Sequence, residues 1–236
     1  MSDKNNKNKK PNIISRAIAC IIRPLLRIIW HVKIYFPERF PSEGAGICVC
    51  NHFSSMDANR IMSSLIKRDY RVMIKGEMFK SKFIGDILRS LGGIPVHRGE
   101  GDIGAVRQVF SAVKEGKKVI IFPEGTRNKC DNSDEYRLLE LKAGVPMIAI
   151  KTKCQVIPLM YYRKISPFRR NYLIVGNPFD FSEFYGQKGE ETEALASDKL
   201  RKKMTDLYAE IKTIVEQYKG SQTAYVKALG DMQEEK

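Results

Sequence analysis

Two side chains of complementary acid–base character stand five positions apart in Asn51-His52-Phe53-Ser54-Ser55-Met56-Asp57, directly after the apolar run Ile47 to Cys50. A carboxylate that accepts the N–H of one imidazole nitrogen leaves the other nitrogen free to take a proton from an alcohol. It also fixes the tautomer and aim of the ring. On a continuous helix, residues five apart face different directions, so His52 and Asp57 meet only if the chain turns from strand to helix between them. The same residues also fit a plain helix start, with Ser54 as N-cap and Asp57 where the macrodipole favours negative charge. The two readings are compatible, because the cap would hold the carboxylate beside the ring.

Other segments bring polar groups to the ends of apolar runs. In Val119 to Asn128, VIIFPEGTRN, a buried strand ends in a sharp turn that presents Glu124, Gly125, Thr126 and Arg127. Glycine permits close backbone approach to a ligand, and arginine offers a planar fork suited to phosphate oxygens. In Gly92 to Gly99, GGIPVHRG, a short strand delivers Arg98, with His97 a bystander beside it. Lys142 in Lys142-Ala143-Gly144 and the strand-end pair Lys75 and Glu77 complete the set. Each of these, taken singly, also reads as an ordinary polar turn or a surface ion pair.

Their order carries more than any single segment. Asn51-His52-x4-Asp57, Gly92-x-Ile94-x-Val96-x-Arg98, Phe122-Pro123-Glu124-Gly125-Thr126-Arg127 and Val156-Ile157-Pro158 resemble the four-block signature of the glycerolipid acyltransferases. The likeness is strongest to the lysophosphatidic acid (1-acylglycerol-3-phosphate) acyltransferases. It spans about residues 45 to 160, with the first and third blocks the most specific. Pro95, His97 and Gln155 depart from the usual second and fourth blocks. The resemblance implies that His52 is the general base and Asp57 its partner. It implies that Arg98, Glu124, Gly125 and Arg127 hold the phosphorylated acceptor, and Thr126, Lys75 and Lys142 join them as expected substrate-binding residues. It further implies transfer from acyl-CoA or acyl-carrier protein to lysophosphatidic acid, with no cofactor and no metal. The amides around Ser54 and Ser55 are candidates for stabilising the oxyanion. Alternatives are the same chemistry on glycerol-3-phosphate or another lysolipid and, from a different class, a basic non-catalytic membrane-binding protein.

The elements that must position these residues alternate. Apolar runs at Ile47 to Cys50, Arg71 to Lys75, Ile94 to Val96, Val119 to Phe122, Ile148 to Ile150, Val156 to Tyr161 and Tyr172 to Val175 read as strands. Helical spacing is present in Ala58 to Lys67 (Ile61, Leu65 and Ile66 inward), in the stripe Phe83, Ile84, Ile87, Leu88, Leu91, and in Ile103, Val106, Phe110, Val113 with Asp102 as cap. A C-terminal face of Leu200, Met204, Leu207, Ile211, Val215 and Tyr218 predicts a covering helix. This is an α/β pattern with a mixed, largely buried sheet flanked by helices, and the resemblance makes it glycerol-3-phosphate acyltransferase-like.

The chain of 236 residues carries a formal net charge of +14, which favours an anionic partner. The basic residues are spread along the chain with no recognised nucleic-acid reader, so nucleic acid is not the expected partner. Five cysteines without a Cys-x-x-Cys pair make neither a disulfide framework nor a zinc site, and fit a reducing compartment. Residues 1–10 read as a disordered basic tail. Residues 11–41 read as an amphipathic membrane-interface segment, with Ile18, Ile21, Ile22, Leu25 and Leu26 on one face and Arg16, Arg23 and Arg27 elsewhere. Trp30, His31 and Tyr35 continue that reading. A catalytic domain at 42–185 and a C-terminal helix and tail at 186–236 complete the expected organisation. The expected location is the cytoplasmic face of an anionic membrane, peripheral or monotopic.

Overall fold

Most of the apolar runs become the strands of a single sheet, and the central ones are buried on both faces. In the computed structural model, which describes residues 21, 24, 25, 28–65, 70–96, 103–130, 136–142 and 144–234, they form β1 (Val32–Tyr35), β2 (Gly46–Cys50), β3 (Tyr70–Lys75), β4 (Gly93–Val96), β5 (Lys118–Ile121), β6 (Val156–Tyr161) and β7 (Asn171–Val175). One seven-stranded sheet results, in the order β1-β7-β6-β2-β5-β3-β4. β2, β3, β4, β5 and β6 run parallel, β7 is antiparallel to β6, and β1 is parallel to β7. Every residue of β2, β5 and β6 is buried, as strands with helices on both faces require.

Among the described residues the α-helices that follow β1 are α1 (Asp57–Ser64), α2 (Lys82–Ser90), α3 (Ile103–Lys114), α4 (Gly144–Thr152), α5 (Glu190–Glu216) and α6 (Gln222–Glu234). Period-two alternation along β2 divides the core. Ile47 and Val49 pack with α3, α4 and α5, while Cys48 and Cys50 pack on the other face with Ala58 and Ile61 of α1. Burial raises the Cys48 thiol to about 12, which leaves it a small hydrophobe rather than a nucleophile.

Several expectations are corrected. Ile148–Ile150 is not a strand but the middle of α4, where Val145, Pro146, Ile148, Ala149 and Ile150 are all buried. A short helix apolar all round has no period to distinguish it from a buried strand, and Pro146 sits in the first turn, where its missing N–H costs no helical bond. The buried side of α3 is Ala105, Val109, Ala112 and Val113, with Ile103 exposed. Val113 is buried and Val106 and Phe110 are half-buried against the core, so of the expected stripe only Ile103 faces out. On α2, Phe83 and Ile84 are likewise exposed. The inner face of α5 runs Ala196, Leu200, Met204, Leu207, Ile211 and Ile214, and Tyr218 lies beyond the helix end.

β1 falls in the stretch read as an interface segment. Tyr35 there is fully buried, its hydroxyl donating to the Gly220 carbonyl at 3.2 Å. Lys33 Nζ donates to the same carbonyl at 2.6 Å, and the Phe36 N–H to Gln222 Oε1 at 3.0 Å. Ile21, Pro24, Leu25, Ile28 and Ile29 are helical, and among the described residues no helix is long and apolar enough to cross a membrane. Residues 1–10, Ile18, Ile22, Leu26, Ile66, Asp102 and the basic Arg16, Arg23, Arg27 and Arg98 lie outside the described residues.

The strand directions gather one set of loops. The C-terminal ends of β2, β3, β5 and β6 and the N-terminal ends of β1 and β7 share one end of the sheet. That end receives the His52 loop, the Pro-Glu-Gly turn and the β6–β7 connection.

Candidate active site

β2 ends at Cys50, and the next residue anchors the turn. Asn51, fully buried, uses its side-chain amide as a substitute ladder rung. Nδ2 donates to the Tyr161 carbonyl at 2.9 Å, and Oδ1 accepts the Tyr161 N–H at 2.8 Å. The chain then turns sharply, and α1 begins at Asp57 itself. Ser54 is therefore not the N-cap: that position belongs to Met56, which makes no side-chain cap bond. Instead Asp57 reaches back. Its Oδ2 accepts the Phe53 and Ser54 N–H groups, each at 2.7 Å, and lies 3.0 Å from His52 Nδ1.

The strand–turn–helix geometry thus unites the two residues whose spacing would have separated them on a helix. With the carboxylate accepting at Nδ1, that nitrogen carries the proton and Nε2 is left as the acceptor. The Asp57 side chain is 0% exposed and that of His52 19%, so the carboxylate is shut from water while the ring still reaches the surface. Phe122 lies flat against the imidazole, ring centroids 4.2 Å apart and planes 21° apart. The Ser54 N–H, expected among oxyanion donors, is committed to Asp57.

Glu124 stands beneath this pair. It is 2% exposed; Oε1 accepts the His52 N–H at 3.0 Å and Oε2 the Leu139 N–H at 3.2 Å. Its carboxylate is occupied with backbone and is not displayed at the surface with the phosphate-fork candidates. Burial raises its carboxyl above the ordinary value, and the two amide donors oppose that rise. The Asn128 N–H donates to the His52 carbonyl at 2.6 Å, so the loops after β2 and β5 are tied on both sides of the histidine.

The Gly125 N–H closes the Phe122 turn at 3.1 Å, and its φ of +65° suits glycine. A Cβ at Gly125 would touch the Lys142 chain at 3.4 Å, and the Lys142 N–H donates to the Pro123 carbonyl at 2.8 Å. Thr126, Arg127 and Lys142 are exposed on this end of the sheet. Lys75 is also exposed here, paired with Glu77 at 3.2 Å.

Arg60, one turn into α1 and 2% exposed, places Nη1 3.9 Å from Asp57 Oδ1. Its guanidinium lies 4.8 Å from the ring centroid of Trp30, a cation–π distance. The Tyr161 hydroxyl donates to the Asp57 carbonyl at 3.0 Å. An arginine three positions after Asp57 was the available signal, since i and i+3 share a helix face. Among the described residues no cluster of His, Cys, Asp and Glu is arranged to hold a metal ion.

A family model described as Acyltransferase matches residues 31–162, a span that includes the dyad, the Pro-Glu-Gly turn and the buried supports beneath them. The chain belongs to the Acyltransferase family. Among its relatives is the 1-acyl-sn-glycerol-3-phosphate acyltransferase of Bacillus subtilis, 25% identical over 79% of this chain and 92% of that one. The enzyme of the same name from Streptococcus pneumoniae is 22% identical over 81% and 74% of the two chains. The fold is shared with the crystal structure of the 1-acyl-sn-glycerophosphate (LPA) acyltransferase of Thermotoga maritima, at a TM-score of 0.57 and 23% identity over 83% and 79% of the two chains. The acyltransferase is therefore built on a mixed α/β sheet, as its sequence predicts.

Proposed function

We propose that this acyltransferase moves a fatty acyl group from a thioester, acyl-CoA or acyl-carrier protein, to the free hydroxyl of lysophosphatidic acid, giving phosphatidic acid. The observation that carries the reading is the His52–Asp57 pair, a buried carboxylate at 3.0 Å from Nδ1 of a ring that reaches the surface. The names of the Bacillus and Streptococcus relatives supply the acceptor class.

In this mechanism His52 Nε2 removes the acceptor hydroxyl proton as the oxygen attacks the thioester carbonyl. The tetrahedral intermediate collapses, the C–S bond breaks, and the thiolate takes the proton back from the imidazolium. Ester and thiol leave. Asp57 holds the ring and stabilises the imidazolium without itself being protonated, the logic of carboxylate–imidazole catalysis in general. Glu124 acts from below by fixing the His52 backbone. Thr126, Arg127 and Lys142, exposed beside the Gly125 turn, hold the acceptor phosphate together with Arg98, and Lys75 supports them. Holding the alcohol against Nε2 is an orientation effect on rate. The enzyme works at the cytoplasmic face of an anionic membrane.

The test offers purified protein a panel of lysolipids and glycerol-3-phosphate with acyl-CoA and acyl-carrier protein, and identifies products by mass. Phosphatidate formed from lysophosphatidate is expected, and His52→Ala lowers kcat by about 10²- to 10⁴-fold with an unchanged thermal midpoint. Products from another acceptor alone refute the substrate assignment, and a His52→Ala variant with near-normal kcat refutes the base.

A further inference from the structure

The nine residues between β6 and β7, Tyr162 to Arg170, close an antiparallel hairpin at the same end of the sheet as His52. Their backbone is firmly held. Asn171, 3% exposed, accepts the Ser166 N–H at 2.9 Å, and the two N–H groups of its Nδ2 are shared among the carbonyls of Ser166, Arg169 and His31 at 3.0 to 3.2 Å. The Phe168 N–H donates to the Ile29 carbonyl at 2.9 Å. On this rigid base Phe168 is 85% exposed, with a φ of +56°, a left-handed conformation uncommon for a bulky residue. Ordered backbone, an uncommon conformation and a large ring pointed into solvent do nothing for the fold's own core.

The ring has cationic neighbours. Arg163, Lys164, Arg169 and Arg170 are all exposed, and the sequence holds no Asp or Glu between Glu140 and Asp180. Across the Ile29 bond lie the helical residues Leu25 and Ile28, both exposed and apolar. An exposed aromatic in a connection that carries four exposed cations and no acidic residue, next to exposed apolar side chains, matches the chemistry of an anionic bilayer interface. Aromatic and aliphatic groups enter the headgroup boundary there while cations meet lipid phosphates.

We infer that the β6–β7 hairpin tip, centred on Phe168 with Arg163, Lys164, Arg169 and Arg170, is a docking element for an anionic membrane surface. It turns the His52 end of the sheet toward the lipid. The inference rests on the reading that the acceptor is a membrane lipid, and it adds a second contact to the N-terminal segment already expected at the interface. The projecting ring and its aliphatic neighbours favour a bilayer over an acidic protein, for which the cations alone would serve.

The experiment uses the full chain and vesicles of phosphatidylglycerol mixed with phosphatidylcholine, against phosphatidylcholine alone. Arg169→Gln with Arg170→Gln lowers partition onto anionic vesicles by roughly 25-fold, about fivefold for each cation lost. Phe168→Gly, which suits the left-handed backbone and keeps the thermal midpoint, lowers it by about tenfold. Turnover of vesicle-borne lysophosphatidate falls in both, while turnover of a short-chain, water-soluble acceptor is unchanged. Wild-type partition in both variants overturns the inference. So does intact vesicle binding with lost binding to acyl-carrier protein, which would make the tip an acidic-protein dock. Failure to acylate any lysolipid refutes the proposed reaction, and the vesicle partition still decides the docking surface.

Discussion

The Asp57 carboxylate is shared between two neighbourhoods. Oδ2 receives the His52 ring and two backbone amides, and Oδ1 faces the Arg60 guanidinium under Trp30. Removing the cation leaves a buried charge without its partner, a change that costs about 3 kcal/mol at the lower end for such pairs. Arg60→Leu is therefore expected to lower stability by about that amount. It should lower kcat through loss of Asp57 placement while KM for the acceptor stays the same, and Trp30→Phe should keep both near wild type. A raised KM with unchanged kcat would place Arg60 at substrate instead. Glu124 gives a pH signature. Its carboxyl is raised above the ordinary 4.5 by burial, so folding favours the protonated form. That contribution is complete below the unfolded value and is lost as pH rises through the folded one. Denaturant midpoints of the wild type and Glu124→Gln should therefore diverge, the wild type losing ground to the variant as pH rises from 4.5. A wild type that gains on the variant over the same range contradicts the assignment. At this scale the spacing of His52 and Asp57 leaves a plain helix start equally open, and it is the order of the four blocks, by resemblance, that marks them as a pair. The i,i+3 spacing of Asp57 and Arg60 is a signal in the sequence, but nothing local reports that Trp30 lies over the Arg60 guanidinium.

Elements decide how steadily those residues are held. α5 covers one face of the sheet, with Leu200, Met204 and Ile211 at 0% exposure. Leu200→Ala removes buried methyl groups far in sequence from the chemistry. It is expected to cost about 2–5 kcal/mol in chemical denaturation, with kcat per folded molecule unchanged. A matching fall in kcat would show that α5 positions the site as well as supporting the sheet. Strands with residues such as Val, Ile and Cys in unbroken runs, and helices with clear amphipathic spacing, could be read directly. Ile148 to Ile150 reads as a strand in sequence because a helix buried all round has no polar face to reveal its period. Of the α3 stripe, Val106, Phe110 and Val113 do meet the core. Phe83, Ile84 and Ile103 lie in the first turns of their helices and are exposed. β1 escaped notice because four residues are too few to show alternation inside an apolar stretch.

The whole molecule is fastened at its two sequence extremes. Lys33, Tyr35 and Phe36 bond to Gly220 and Gln222, and β1 forms one edge of the sheet. A chain lacking residues 1–20 is expected to keep its cooperative thermal transition, whereas one lacking 1–36 should lose it, having lost a strand and the fully buried Tyr35. Equal midpoints for the two truncations would show that β1 is dispensable. The order of the chain and the order of the sheet run against each other here. β1 leaves the ribosome long before β7, its partner in the sheet, with about 140 residues between them. At ordinary translation speeds that is a wait of about 7–30 s. The strand that is made first is among the last to be seated, so for the length of synthesis its apolar edge must be kept from pairing with a neighbouring nascent chain.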